Sequence, residues 1–299
     1  MSESVYDGHI HMADRPVNVP DFLNRIHSAG IDGGLVLSVA PAGLPDAHGA
    51  NIPAKERMIG VRDFCEKCGK NFYPCFWIDV LEKDAVEQVK MAKEMGMRAL
   101  KIICSHHYPS AGLPVYKEAL KYDLPILFHS GILWDGLDSG KYNRPCEFEC
   151  MLEVPGIRFS LAHISWPWTD ECIALFGKLR NGGGTFNKKV DFFIDDCPGT
   201  PDIYRKDVFR KFALLGYDLS DSLIFGVDTN VHTYNAPWAK YTLEFDRKTF
   251  AELNDEVQNF KGYFLEESFD NQGLPRPDQN QVFRNSVSRN LLRFLGEKI

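Results

Sequence analysis

Eight short runs of apolar, β-branched or aromatic residues recur along the chain: Val5–His11, Gly34–Ala40, Asn71–Asp79, Arg98–Ile103, Pro125–Ser130, Arg158–His163, Val190–Asp196 and Ser222–Thr229. Several are almost uninterrupted, as in Gly34-Leu35-Val36-Leu37 and Leu124-Pro125-Ile126-Leu127-Phe128. A strand buried on both faces reads that way, which favours a parallel sheet. Helical patterns lie between the runs. Pro20–Ala29 puts Phe22, Leu23 and Ile26 on one side and stops at Gly30. Ile52–Lys67, Leu81–Met95, Pro114–Lys121, Cys146–Glu153, Asp170–Leu179 and Asp202–Leu215 follow, with a Gly182-Gly183-Gly184 turn after the sixth helix. Such alternation indicates βαβ units. Eight repeats predict an α/β fold closed into a (β/α)₈ TIM barrel, with an open doubly wound sheet as the runner-up.

The stretch from about Ala236 to Asn280 is more polar and less periodic. It reads as an eighth helix followed by an extension over the barrel. Gln281–Leu295 then reads as a closing amphipathic helix, with Val287, Leu291, Leu292 and Leu295 on its apolar side. Residues 1–299 are expected to form one barrel domain, since such a barrel takes about 250 residues plus loops.

Composition narrows the function classes. The formal net charge is 34 − 41 = −7 and no Lys/Arg run stands out, which argues against a nucleic-acid surface. No apolar run approaches the roughly 20 residues that a membrane helix needs. Eight cysteines, without a secretory leader before the first strand pattern, read as reduced thiols of a cytoplasmic protein. The Cys65/Cys68 pair lacks a second ligand pair and reads as two thiols on one side of a helix. The expected partner is a small-molecule substrate. A homo-oligomer stays open.

The first chemical signal is Asp7-Gly8-His9-Ile10-His11, ending the first strand. Side chains alternate across a strand, so His9 and His11 point the same way and can bind one metal ion. Two hydrogen-bonded histidines near a strand end would read the same in isolation. Position adds the second signal. His129 closes the fifth strand, His163 the sixth and Asp228 the eighth. In a (β/α)₈ barrel those strand ends ring the active site. Nitrogen and carboxylate ligands suit one divalent ion, Zn²⁺ first, with Mn²⁺, Fe²⁺ or Co²⁺ as alternatives. Such a site with an open position lowers the pKa of water towards neutrality. Asp228 could ligate the ion, accept a proton, or both. His163 could stabilise a developing oxyanion.

Lys101 ends the fourth strand. It could pair with a substrate carboxylate or form a salt bridge; a carboxylated lysine bridging two metals ranks below these. His106 and His107 lie in the next loop, where either could touch substrate or face solvent. Trp134, Trp166, Trp168, Tyr108 and Tyr234 fall in rim loops and suggest a partly aromatic pocket. The tentative substrate-binding set is Lys101, His106, Trp134 and Trp166. Asp195 and Asp196 end the seventh strand and read as supporting residues.

At these segments the chain resembles the amidohydrolase superfamily, in its amidohydrolase-2 branch of metal-dependent barrel hydrolases and decarboxylases. The resemblance runs nearly end to end, through Asp7–His11, Leu124–Gly131, Pro155–His163, Leu223–Asp228 and Arg289-Asn290-Leu291-Leu292. It implies one metal ion held by His9, His11, His129 and Asp228, with His163 acting beside it. The implied activities are hydrolysis of amides, esters and lactones, non-oxidative decarboxylation, and hydration of unsaturated acids. One departure is Ile164-Ser165-Trp166-Pro167-Trp168 after His163, where the branch often has a glycine. The His-Pro-Trp-Asp-like segment of one decarboxylase subgroup is also missing. The leading expectation is therefore a metal-dependent hydrolase of a small amide, ester or lactone. A decarboxylase or hydratase of an aromatic or unsaturated acid is the alternative, and a catalytically silent binding barrel is a third.

Overall fold

The computed structural model describes residues 3–42, 51–182 and 189–298. Its sheet is wholly parallel, in the order β8-β7-β6-β5-β4-β3-β2-β1-β9. The strands are β1 (Tyr6–His11), β2 (Gly33–Leu37), β3 (Phe72–Trp77), β4 (Ala99–Ile102), β5 (Ile126–Phe128), β6 (Arg158–Leu161), β7 (Asp191–Asp195), β8 (Leu223–Ile224) and β9 (Thr229–Asn230). The last two are halves of one predicted strand. β8 pairs with β7, and β9 pairs with β1. Phe225–Asp228 joins the halves, and the Gly8 N–H donates to Phe225 O at 2.8 Å. The ladder therefore closes on itself, as the eight runs predict, and the open-sheet alternative does not hold.

The near-continuous apolar runs have a two-layer explanation. Leu35 and Leu37, Leu127 and Phe193 belong to a cluster inside the barrel. Their strand neighbours Val36, Ile126, Phe128, Phe192 and Ile194 belong to the core between sheet and helices. Alternate side chains thus enter two apolar environments, and neither face can be polar.

Helices α1 (Val19–Ser28), α2 (Ala54–Cys68), α3 (Ala85–Glu94), α4 (Leu113–Lys121), α5 (Thr169–Gly177), α6 (Asp202–Leu214) and α7 (Ala236–Asn259) cover the outside. In α1, Asn18 caps the Asp21 N–H, and Phe22 and Ile26 are buried one turn apart. Cys65 and Cys68 both lie on α2 as free thiols. The predicted helix at Cys146–Glu153 is a 3₁₀ helix, Pro145–Glu153. Its buried residues Pro145, Phe148 and Met151 recur every third position, which matches three residues per turn. Of the predicted Gly182–Gly184 turn, Gly183 and Gly184 lie outside the described residues.

The extension differs from expectation. After α7, helix α8 (Tyr263–Ser268) places Leu265 against Ala213 and Val257, and Gly216 beside Phe264 and Phe269. It therefore packs on α6, α7 and the turn leading into β8, away from the C-terminal ends of the strands. The closing helix is two helices, α9 (Gln279–Val287) and α10 (Arg289–Phe294), broken at Ser288 (φ −125°, ψ −84°). Leu291, Phe294 and Leu295 plug the N-terminal end of the barrel. No helix among the described residues is long and apolar enough to cross a membrane.

Candidate active site

Strand geometry decides which side chains reach the barrel mouth. Ile10 packs in the outer core, so its neighbours His9 and His11 face inward. A β-bulge sets that parity: Asp7 to Ile10 spans three steps on β1, while Gly34 to Val36 spans two on β2. Bulges beside active sites commonly re-aim side chains in this way. Leu100 and Ile102 face outward, which turns Lys101 in; Leu127 and Phe193 face inward, which carries His129, Asp195 and Cys197 with them. His163 breaks the rule. Leu161 faces outward, so alternation would send His163 to the helix layer. Instead His163, Ile164 and Ser165 all adopt positive φ (61°, 46° and 61°), and the ring swings back into the barrel. A β-branched residue at such a φ is a true outlier, and strain of this kind clusters at functional sites.

The result is a cavity of about 260 Å³ lined by His9, His11, Lys101, His129, His163 and Asp228, among others. That volume suits a small molecule. His11 Nε2 lies 3.0 Å from Asp228 Oδ1, and His9 Nε2 lies 3.8 Å from the same oxygen. Two atoms bound at about 2.0–2.1 Å to one tetrahedral ion sit roughly 3.3 Å apart. The spacing thus fits a single divalent cation. His129 is not in this trio, whose ligand atoms lie within 4.8 Å of one another. It lines the same cavity with its ring 4.9 Å from His163, and its Nε2 is buried without a hydrogen-bond partner among the described residues. A buried nitrogen without a partner is costly unless something arrives to satisfy it.

Supporting residues hold this set in place. His9 Nδ1 is 2.6 Å from Asp195 Oδ2, and the Cys197 N–H donates to Asp195 Oδ1 at 2.8 Å. Any Cβ at Gly226 would come within 2.9 Å of Asp195 Oδ1. Asp7 lies beneath, accepting from the His9 and Val227 N–H groups and from the Tyr234 hydroxyl, each at 2.9 Å. Burial pushes the Asp7 carboxyl up to about 7. Burial also pulls His9 and His129 down, and takes His163 to about 4. Burial would raise Asp228, but attraction to His9, the His11 hydrogen bond and attraction to His163 hold it well below the usual carboxylate range. Burial lowers Lys101.

The structure shares its fold with several solved barrels. Over 100% of this chain and 85% of its own, dihydroorotase from Campylobacter jejuni superposes with a TM-score of 0.53 at 13% identity. A protein from Pseudomonas putida described as a 2-pyrone-4,6-dicarboxylic acid hydrolase superposes with a TM-score of 0.58 at 11% identity, over 100% of both chains. Its counterpart from Acinetobacter baumannii, solved with citric acid bound, gives 0.55 at 11% identity over 98% of this chain and 99% of that one. What the chain shares with all three is the α/β barrel fold. No family model and no curated protein matches the sequence.

Within this barrel, the predicted site residues divide. His9, His11, His129, His163, Asp228, Lys101, Trp134 and Trp166 all line one cavity. Lys101 Nζ lies 3.4 Å from His9 Nε2 and, among the described residues, has no carboxylate within 4.0 Å. The salt-bridge expectation for it is therefore corrected. His106 does not reach the cavity: it is exposed, with Nδ1 2.7 Å from the Ser105 hydroxyl. The loop after β4 carries it outward, so it is withdrawn from the substrate-binding set. Tyr234 is corrected from a pocket residue to a buried brace on Asp7. Tyr108 packs edge-on to Tyr142, and Trp168 stacks under the Arg144 guanidinium; neither lines the cavity. Cys197 is the residue sequence reasoning missed. Its spacing of two from Asp195 and four from Phe193 put it on the inward face.

Proposed function

We propose that this protein is a metal-dependent hydrolase of the amidohydrolase type, acting on a small amide, ester or lactone. The observation that carries the reading is the convergence of His9, His11 and Asp228 on one point, with His129 and His163 on the same cavity wall. His9, His11 and Asp228 would hold the ion, with His129 as the fourth protein ligand. Zn²⁺ suits these donors best. Once bound, such an ion acidifies water and polarises a substrate carbonyl.

The remaining chemistry belongs to the chain. Asp195 holds His9 by Nδ1, which leaves Nε2, 3.4 Å from Lys101 Nζ, as the nitrogen that would ligate the ion. Asp228 Oδ1 is engaged by His11, so Oδ2 is the oxygen left to accept a proton from the attacking water. His163 lines the same cavity and would stabilise negative charge developing on a substrate carbonyl oxygen. Trp134 and Trp166 flank the opening, and the Lys101 ammonium gives the cavity a cationic side.

The test pairs metal analysis with an activity screen. Purified protein should bind about one divalent ion per chain. The loaded protein should open or cleave members of a panel of small lactones, esters and amides, followed by proton release. Failure to retain any divalent ion at saturating zinc would overturn the reading. CO₂ release from aromatic or unsaturated acids without hydrolysis would replace it with a decarboxylase.

A further inference from the structure

Cys197 is a buried thiol directly behind His9 and His163 of the cavity lining, and the hydrolytic reading leaves it unused. Its Sγ lies 3.2 Å from His163 Nδ1 and 3.2 Å from His9 Nδ1. The two contacts are not equivalent. His9 Nδ1 faces the Asp195 carboxylate at 2.6 Å, so its proton is committed there and it cannot accept. A cysteine thiol ordinarily keeps its proton at neutral pH, and this one is buried, so the S–H is available to donate. The ring nitrogen still able to accept is His163 Nδ1. Asp228 Oδ2, 3.9 Å from that nitrogen, is beyond hydrogen-bond reach.

The backbone is arranged to make this contact. The left-handed turn at His163–Ser165 brings the ring onto the loop after β7. The Thr200 hydroxyl donates to His163 O and pins the turn. Gly199 lies flat against the ring, where any Cβ would come within 2.8 Å of His163 Cγ.

We propose that Cys197 is a positioning residue: its S–H donates to His163 Nδ1 and fixes His163 as the Nε2–H tautomer, presenting a hydrogen-bond donor to the cavity. A neutral imidazole in that form can donate to an oxyanion and cannot take a proton at Nε2. Proton acceptance is thereby left to Asp228. The use made of the donor rests on the hydrolytic reading; the tautomer does not.

Histidine labelled with ¹⁵N in the ring reports the tautomer directly through long-range ¹H–¹⁵N correlations, with the His163 signals assigned by comparison with His163→Gln. We expect the Nε2–H pattern in the wild-type protein, with and without zinc. Cys197→Ala should shift His163 towards the Nδ1–H form and lower kcat by about 10–100-fold with KM little changed, the range for lost orienting partners. Cys197→Ser, which still carries a donor hydrogen, should keep the wild-type pattern and recover most of kcat. An Nδ1–H pattern in the wild-type protein overturns the proposal, even if no variant folds. An unchanged pattern in a folded Cys197→Ala protein does the same. A tautomer as expected, in a protein that hydrolyses nothing, leaves this inference standing and removes the reading of the site.

Discussion

The two ends of the barrel are built from the same strands and obey opposite rules. At the N-terminal end, Asn290 and the arginines around the closing helix are matched to partners, although the buried Ser222 hydroxyl just before β8 has none among the described residues. The Asn290 amide donates to Leu223 O at 2.8 Å, Arg158 Nε to Phe294 O at 2.8 Å, and Arg293 to both Asp191 oxygens at 2.9 and 2.8 Å. Arg98 pairs with Glu297 at 2.6 Å, and Phe294 packs edge-on to Phe193 with ring centroids 5.2 Å apart. At the C-terminal end, among the described residues, His129 Nε2 has no partner and Lys101 has no carboxylate within 4.0 Å, and three consecutive residues hold a left-handed backbone. The base is arranged for stability. The mouth carries unpaired groups and strain that the rest of the fold must support, as is usual where preorganisation serves chemistry.

The largest expected effect lies at the mouth. Replacing Asp228 by Ala removes a candidate ligand and the proposed proton acceptor together. Loss of several kcal/mol of transition-state stabilisation corresponds to a fall in turnover on the order of 10³-fold or more. Bound zinc per chain should fall with it, by emission spectrometry. Stability of the metal-free protein in urea should change by less than it does for a base substitution, because the Asp228 side chain is partly exposed and fills no core position. Full metal occupancy and normal turnover in this variant would break the contrast between the ends.

The second effect lies at the base. Phe294 is buried at the bottom of the barrel among Phe193, Leu291 and Leu295. Phe294→Ala should cost about 3–5 kcal/mol, seen as a lower urea midpoint, with kcat and zinc affinity of the folded protein unchanged. A variant that kept its stability and lost zinc would show that the plug sets the geometry of the mouth.

What the sequence carried and what it hid follow the same division. Apolar runs and period-two alternation are local properties: the runs placed the strands and their two buried faces, and strand-end position put Lys101 and His129 on the rim. His9 and His11 shared a face for the same reason, although the bulge that aims that face inward leaves no sign in residue type. His163 could not be placed by alternation, which points it outward; its position at the strand end and the resemblance put it on the rim. Cys197 carried the right parity, but eight cysteines in the chain gave no reason to single it out. His106 and Tyr234 were misjudged because loop paths depend on tertiary contacts, here Ser105 for one and Asp7 for the other. The split of the closing helix at Ser288 falls in a run whose apolar spacing continues unbroken, so only the turn of the chain onto the barrel base shows it.

The smallest expected effect probes the bond that joins the two halves of the mouth. Asp195 accepts at both oxygens, from His9 Nδ1 at one and the Cys197 N–H at the other. Attraction to His9 and its hydrogen bond outweigh burial and keep this carboxylate ionised, below its ordinary range. Asn at this position offers one acceptor and one donor, so one of the two contacts must become donor against donor. Whichever way the amide turns, His9 loses orientation or the loop carrying Cys197 loosens. Lost orienting partners of ligand histidines typically cost 10–100-fold in metal affinity. Asp195→Asn should therefore weaken zinc binding by that factor, measured by competition with a chromophoric chelator, while secondary structure by circular dichroism stays the same. An unchanged dissociation constant would mean that His9 is held by its strand alone, and that the mouth is less dependent on its supporting bonds than the contrast with the base implies.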